Sequence, residues 1–234
     1  MLKIIFRFIK RLLLLFLVLS VGSVILFRFV PVPFTPLMFS RAMETYSEGP
    51  GFGWKKEWVP LSDLPASVSH AMICAEDSRF EEHWGFDFTA IKKAMKQNER
   101  GKKVKGASTI TQQTAKNLFL WQGRTWLRKG LEAYFTVLLE IFWSKERIME
   151  VYVNIIEMGN GVYGIQAASQ TYYKKDASRL RPGEAAMIAS ILPNPRKWSP
   201  LKPSAMIFRK QQRVLKSMQK TRAPEWAQEA PSTK

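Results

Sequence analysis

Residues 108–154 read STITQQTAKNLFLWQGRTWLRKGLEAYFTVLLEIFWSKERIMEVYVN, and this stretch decides the fold class. Three helical segments follow one another in it. Ser108 is placed to cap the first, which runs to about Leu118. The second covers Thr125 to Phe142. Ser144 caps the third, an amphipathic helix that ends near Asn154. The flanks continue the pattern. Before it, a helix is expected from Pro65 to Glu76, with Val68, Met72 and Ile73 on its apolar side and Pro65 near its start. Asp87 is expected to cap a helix through Asn98 that buries Phe88, Ile91 and Met95. Between them and the quoted stretch lies the polar, basic run NERGKKVKGAS, which reads as a mobile loop. After the quoted stretch, Gly159, Gly161 and Gly164 mark a turn before a helix from Gly164 to Tyr173. Pro182 opens another through Leu192, which Pro193 stops, and an amphipathic helix covers Ala205 to Lys220. There is no strand-like alternation and no internal repeat. The fold class is therefore mainly α, with a tail after Thr221 that is expected to fray.

The N-terminus adds one element of a different kind. It reads MLKIIFRFIKRLLLLFLVLSVGSVILFRFV, with no charge from Leu12 to Phe27 and an apolar continuation past Arg28 to Val30. That is about the length that crosses a hydrocarbon core. Lys3, Arg7, Lys10 and Arg11 precede it and orient the N-terminus toward the cytoplasm. A cleaved signal peptide is the competing reading, but the run is long and no clear small-x-small site follows. A buried core helix is the third reading, and the basic flank argues against it. Pro31, Pro33 and Pro36 then act as a stiff linker. Phe34, Phe39, Trp54 and Trp58 in that region suit either the membrane surface or packing on the domain. The expected layout is a basic cytoplasmic N-terminus (1–11), a transmembrane anchor (12–30), a juxtamembrane linker with or without membrane contact (31–60), a catalytic domain (61–222) and a disordered tail (223–234).

Composition narrows the partners. The chain has 234 residues, enough for one domain plus an anchor, and 46% of them are hydrophobic, which rules against wholesale disorder. Its net charge of +17 points to an anionic partner: nucleic acid, an acidic membrane surface or a phosphorylated substrate. Cys74 is the single cysteine, so neither an intramolecular disulfide nor a cysteine metal site can form. A nucleophilic thiol is conceivable there, but a small buried hydrophobe is the better reading.

Four segments carry the chemistry. The first is Glu76-Asp77-Ser78-Arg79-Phe80 with His83, Gly85 and Asp87. A carboxylate at a helix C-terminal end faces the negative pole of the dipole, which raises its pKa and suits a base. The second is Gly106-Ala107-Ser108-Thr109-Ile110-Thr111-Gln112-Gln113 with Lys116 one turn on. Hydroxyls and amides at a helix N-terminus can hold an anion or sugar hydroxyls. The third is Arg124 with Arg128-Lys129-Gly130-Leu131-Glu132. Arg128 and Glu132 can pair along one helix, and the cations suit a pyrophosphate. The fourth runs from Lys145 through Asn154 to Gly159-Asn160-Gly161 and Ser169, and is expected to support the others. Read alone, each has a plain structural alternative: an acidic turn, an ordinary cap, a surface ion pair, a packed helix.

In this order and spacing the four segments closely resemble the glycosyltransferase family 51 domain, the peptidoglycan glycosyltransferases. The patterns are EDxxFxxHxGxD, STITQQ, RKxxE and KxxIxExYxN followed by GxGxxGxxAAS, over about residues 60–195. Ala107 stands where the family often has a second glycine, and Met149 and Val153 where leucine is common. The resemblance implies a lysozyme-like, mainly α catalytic domain behind one N-terminal transmembrane helix. It implies polymerisation of lipid II into β-1,4-linked glycan, with inversion at the donor MurNAc C1 and release of undecaprenyl pyrophosphate. Glu76 takes the position of the general base, and Glu132 that of a second carboxylate. Lys116 and Arg124 match phosphate-binding positions. Ser108, Gln112 and Gln113 would hold sugar and phosphate groups, and Arg128 and Lys129 would add positive potential. No cofactor is obligatory. A divalent cation (Mg2+ or Mn2+) at Glu132 is left open. The implied partners are lipid II, the growing strand and membrane lipid, with other cell-wall synthases or division proteins left open and nucleic acid excluded. The implied location is the bacterial inner membrane, with the catalytic domain on its outer, periplasmic side. The length leaves no room for a transpeptidase domain, and Ser217-Met218-Gln219-Lys220 matches SxxK without its companion elements, so a monofunctional member is expected. A lysozyme-like lytic enzyme and a basic, membrane-anchored binding protein are the rival readings.

Overall fold

The computed structural model describes residues 1–47, 54–99, 101, 106–123 and 125–228. In chain order the helices are α1 (Leu2–Phe29), α2 (Pro36–Ser47), α3 (Ala66–Glu76), α4 (Phe88–Glu99), α5 (Ile110–Phe119), α6 (Trp126–Phe142), α7 (Lys145–Ile155), α8 (Ile165–Tyr173), α9 (Pro182–Ile191), α10 (Ala205–Lys220) and α11 (Glu225–Gln228). A small sheet of β1 (Lys55–Lys56), β2 (Glu157–Gly159) and β3 (Val162–Tyr163) has the order β1-β3-β2, with β1 parallel and β2 antiparallel to β3. Strands this short carry no period-two signal, which is why sequence patterning shows none. Residues 100 and 102–105 of the basic loop lie outside the described residues.

The helix starts follow local chemistry. Thr125 and Ser144 cap α6 and α7 by accepting from the N–H groups of Arg128 and Arg147 at 3.2 Å each. Asp87 accepts from the Ala90 N–H at 2.8 Å and caps α4. The expected cap at Ser108 moves by one residue. Thr109 is the N-cap of α5, and it forms a reciprocal capping box with Gln112. The glutamine three residues after Thr109 supports this register, whereas the residue three after Ser108 is Thr111. Gly164 precedes α8 at φ +80°, and a Cβ there would stand 2.7 Å from the Asn154 carbonyl oxygen, so only glycine fits.

Two sets of helices meet at one buried core. α3 packs on α9, and α10 covers both. α5 packs on α6 and α7. Met72, Phe80, Ile110, Leu139, Ile148 and Tyr152 are fully buried between them. Asn154 ties the preceding loop to α7, accepting from the Val59 N–H at 2.9 Å and donating to the Val59 carbonyl at 2.8 Å.

α1 is long and apolar enough to cross a membrane, and it is fastened to the domain rather than tethered. Its inner face lies on α6, where Ser20 Oγ and the Tyr134 hydroxyl share a hydrogen bond of 2.8 Å. The Trp143 indole N–H donates to the Val24 carbonyl at 2.8 Å. The Arg147 guanidinium donates to the carbonyls of Phe27 and Val30, each at 2.9 Å. A helix end leaves carbonyls without partners and carries partial negative charge, so an arginine there satisfies both needs.

Three expectations are corrected. Residues 31–60 are more than a linker, because Pro36 opens α2 instead of only breaking a helix. Proline suits the first helical position, and Thr35 Oγ1 accepts from the Met38 N–H at 3.3 Å. Within the same segment Phe34 and Phe39 are exposed, whereas Trp54 and Trp58 pack on the core. On α4, Phe88 and Met95 are exposed, not buried, because α4 lies at the margin with no extensive contact to another helix. The tail after Thr221 does not simply fray. α11 packs on α3, burying Ala227 and donating from the Trp226 indole to Glu81 at 3.3 Å. Residues 229–234 lie outside the described residues.

Candidate active site

The site forms where the two helix sets meet. Glu76 is the last residue of α3, and its side chain is largely buried. Gln113 of α5 donates to Glu76 Oε2 at 3.2 Å, and the Tyr152 hydroxyl of α7 donates to Gln113 Oε1 at 3.5 Å. Lys210 of α10 places its ammonium 3.6 Å from Glu76 Oε1. Burial pushes the Glu76 carboxyl above the usual carboxylate range, and the neighbouring Asp77 adds to this. Lys210 and the Gln113 amide pull the other way. The result is a carboxylate ready to accept a proton, held by groups from three other helices.

Asp77 has a different task. It is buried, accepts from His83 Nε2 at 2.9 Å on Oδ1 and from the Ile110 N–H at 3.0 Å on Oδ2. It thus pins the end of α3 to the start of α5. Gly85 lets the following loop pass close over α6. Its φ is +71°, and a Cβ there would meet Thr136 Cγ2 at 2.6 Å. The Gly85 carbonyl accepts from Thr109 Oγ1 at 2.6 Å. Lys145 supports the same loop, donating to the His83 carbonyl at 2.7 Å and to Glu140 at 2.8 Å. The fourth sequence segment therefore acts as support.

Two cavities lie at this cluster, one at Glu76 and one at Gln113. One of about 270 Å³ is lined by Glu76, Asp77, Ser108 and Lys93 among others. The second, of about 330 Å³, is lined by Gln113, Lys116, Asn117, Arg128, Arg41 and Glu157 among others. Gln113 lines the second cavity and donates to Glu76, which lines the first, so one hydrogen bond links the two. Lys116 is lowered from the usual lysine range, first by burial. Glu132 and Glu76 partly restore it, while Arg128 and Lys129 lower it further. Glu132 is buried on α6, paired with Arg128 at 3.5 Å and with Lys129.

Most of the residues singled out from sequence therefore converge. Glu76, Gln113, Lys116, Arg128 and Glu132 form one neighbourhood, with Ser108 at the rim of the first cavity and Lys129 at the outer side of Glu132. Gln112 is buried and its Oε1 accepts from the Thr109 N–H at 3.1 Å, so it builds the helix start. Arg124 lies outside the described residues. Cys74 is part-buried against the core with its Sγ 3.6 Å from Thr221 Oγ1, away from both cavities. Both oxygens of Glu132 face cations, those of Arg128 and Lys129. Sequence reading missed Lys210, Arg41 and Glu157, while Tyr152 falls in the fourth segment, expected there as support. Lys210 reads as one more charge on a basic amphipathic helix, and nothing local marks it.

Residues 44–219 match the family model described as Transglycosylase. A biosynthetic peptidoglycan transglycosylase of Bdellovibrio bacteriovorus is 56% identical over 209 residues, covering 89% of this chain and 84% of the relative. Its counterpart in Bacteroides thetaiotaomicron is 48% identical over 92% of this chain and 87% of its own length. One from Pseudomonas putida is 44% identical over 100% of this chain and 99% of its own.

Proposed function

The chain belongs to the transglycosylase family and is a peptidoglycan glycosyltransferase, and from that premise we propose that it joins lipid II units with Glu76 as the base. The observation that carries this reading is the hydrogen bond that links the carboxylate cavity to the cationic one, from Gln113 to Glu76. The acceptor sugar enters the 270 Å³ cavity, where Glu76 removes the proton from its GlcNAc 4-hydroxyl and Ser108 meets a sugar or phosphate oxygen. The donor's pyrophosphate enters the 330 Å³ cavity, which Lys116 and Arg128 line; Lys129 adds positive potential, and the family resemblance makes Arg124 a further phosphate ligand. The hydroxyl oxygen attacks C1 of the donor MurNAc from the face opposite the departing pyrophosphate, so the anomeric centre inverts. Undecaprenyl pyrophosphate leaves as an anion that the cations stabilise, so no protein acid is needed. Glu132 keeps Arg128 and Lys129 oriented.

The substrate's lipid explains the anchor. α1 crosses the inner membrane with its basic N-terminus in the cytoplasm and the domain on the periplasmic side. Exposed apolar residues (Phe34, Phe39, Met43, Leu127, Val137 and Ile141) lie on the segments that follow α1 or pack on it. They suit contact with membrane lipid.

The test is incubation of the full chain with lipid II. Polymer is expected. Cleavage of mature glycan without polymerisation would overturn the reading in favour of a lytic enzyme. Lys116→Ala is expected to lower kcat/KM by about 10- to 100-fold, the worth of one charge-assisted hydrogen bond to a phosphate. Unchanged kinetics would remove Lys116 from the site. A pH profile examines Glu76 separately. Activity is lost as pH falls through the raised Glu76 pKa, because the protonated form cannot act as a base. Lys210 holds that pKa down, so Lys210→Met should move the acid limb of kcat/KM to higher pH. An unmoved limb would dissociate Lys210 from Glu76.

A further inference from the structure

Resting on the assignment of the 330 Å³ cavity to the donor's pyrophosphate, we propose that Arg41 of the juxtamembrane helix α2 is a further ligand of that pyrophosphate, held on Glu157 and Glu44 until substrate arrives. Arg41 lines the cavity together with Lys116 and Arg128. It lies before residue 44, where the match to the family model begins. The segment next to the anchor therefore contributes to the site, and does so from outside the matched domain.

The geometry is that of a group ready to change partners. Arg41 pairs with Glu44 at 2.6 Å, but Glu44 is about half exposed, and such a pair is weak in water. Its second partner is Glu157, at the loose distance of 3.9 Å. The Glu157 side chain is only 9% exposed, and its Oε1 has no hydrogen-bond partner among the described residues. Burial raises the Glu157 carboxyl, and Arg41 and Arg196 only partly offset this. Neither carboxylate competes well with a diphosphate. A planar guanidinium can engage phosphate oxygens through two parallel N–H groups. Three cations around one cavity also repel one another until an anion enters. α2 is positioned for this work by packing on α5, and the Gln122 amide donates to Ser40 Oγ at 3.0 Å.

The experiment measures binding of inorganic pyrophosphate to the detergent-solubilised full chain by calorimetry, with lipid II kinetics in parallel. Arg41→Ala is expected to weaken pyrophosphate binding by roughly tenfold and to raise KM for lipid II more than it lowers kcat. Arg41→Lys should recover part of the affinity. Glu157→Gln, which removes the waiting counter-ion, should tighten pyrophosphate binding, and this variant serves even if Arg41→Ala fails to fold. Ser40→Ala removes one contact that positions α2 without changing charge, and should weaken pyrophosphate binding much less than Arg41→Ala. Arg41→Ala with wild-type affinity, Ser40→Ala with the same loss as Arg41→Ala, or Glu157→Gln with no gain would each overturn the proposal. If the wild-type chain makes no polymer from lipid II, the underlying functional reading falls instead.

Discussion

Replacing Glu76 by glutamine removes turnover and leaves the protein folded. A general base contributes about 10²- to 10⁴-fold to rate, and no other carboxylate among the described residues lines the cavity in a free state. Asp77 is bound on both oxygens, and Asp87 caps α4 and pairs with Arg79 at 3.3 Å. The polymerisation rate should therefore fall by at least about that factor. The stability of the variant is the sharper test. Glu76 binds its proton more tightly in the folded protein than in the unfolded chain, because burial disfavours the anion. Stability is then lost as pH rises from the ordinary carboxylate range through the raised pKa. An amide does not ionise and escapes that cost. Its lost partner, Lys210, is 26% exposed and can turn to water. The melting temperature of Glu76→Gln should lie at or above that of wild type. A residual rate near wild type would sink the assignment of the base. A large fall in melting temperature would show that the carboxylate has a structural role instead.

Asp77→Ala should do the reverse at the adjacent position. Removing this side chain leaves His83 Nε2 and the Ile110 N–H without an acceptor in a buried place. Each stranded donor costs about 1–3 kcal/mol, so a loss of about 2–6 kcal/mol of folding stability is expected. Denaturant titration would report it as a lower midpoint. Activity should fall as well, because the joint between α3 and α5 sets the distance from Gln113 to Glu76. Loss of the Asp77 charge, which helps to raise the Glu76 pKa, should also move the acid limb of the residual activity to lower pH. An Asp77→Ala protein as stable as wild type would refute the clamp. The two neighbouring carboxylates are thus distinguished by opposite signatures: one lowers rate at constant stability, the other lowers stability first.

The sequence made much of this legible. Helix caps are local signals, and Thr125, Ser144 and Asp87 act where the residue types place them. Local signals also misled in identifiable ways. Ser108 and Thr109 are equivalent as hydroxyls, and the partner at Gln112 chooses between them. Phe88 and Met95 have the spacing of a buried face, but whether a helix covers them depends on residues elsewhere in the chain. Pro36 was a breaker by its type and a helix start by its position after Thr35.

By itself, then, the sequence determined the helical class, the apolar anchor and the ordered motifs that place Glu76, Lys116, Arg128 and Glu132 in one family of sites. The first two follow from periodicity and composition within a short window, and the last is what the resemblance of those motifs to a known family implies. The tertiary structure alone decided which groups tune them. Lys210 reaches Glu76 from α10, Arg41 reaches the cationic cavity from the segment beside the anchor, and Arg147 closes the end of α1. Those pairs join residues far apart in the chain. Their energies depend on the low-dielectric junction that packing creates, and no local pattern encodes that junction.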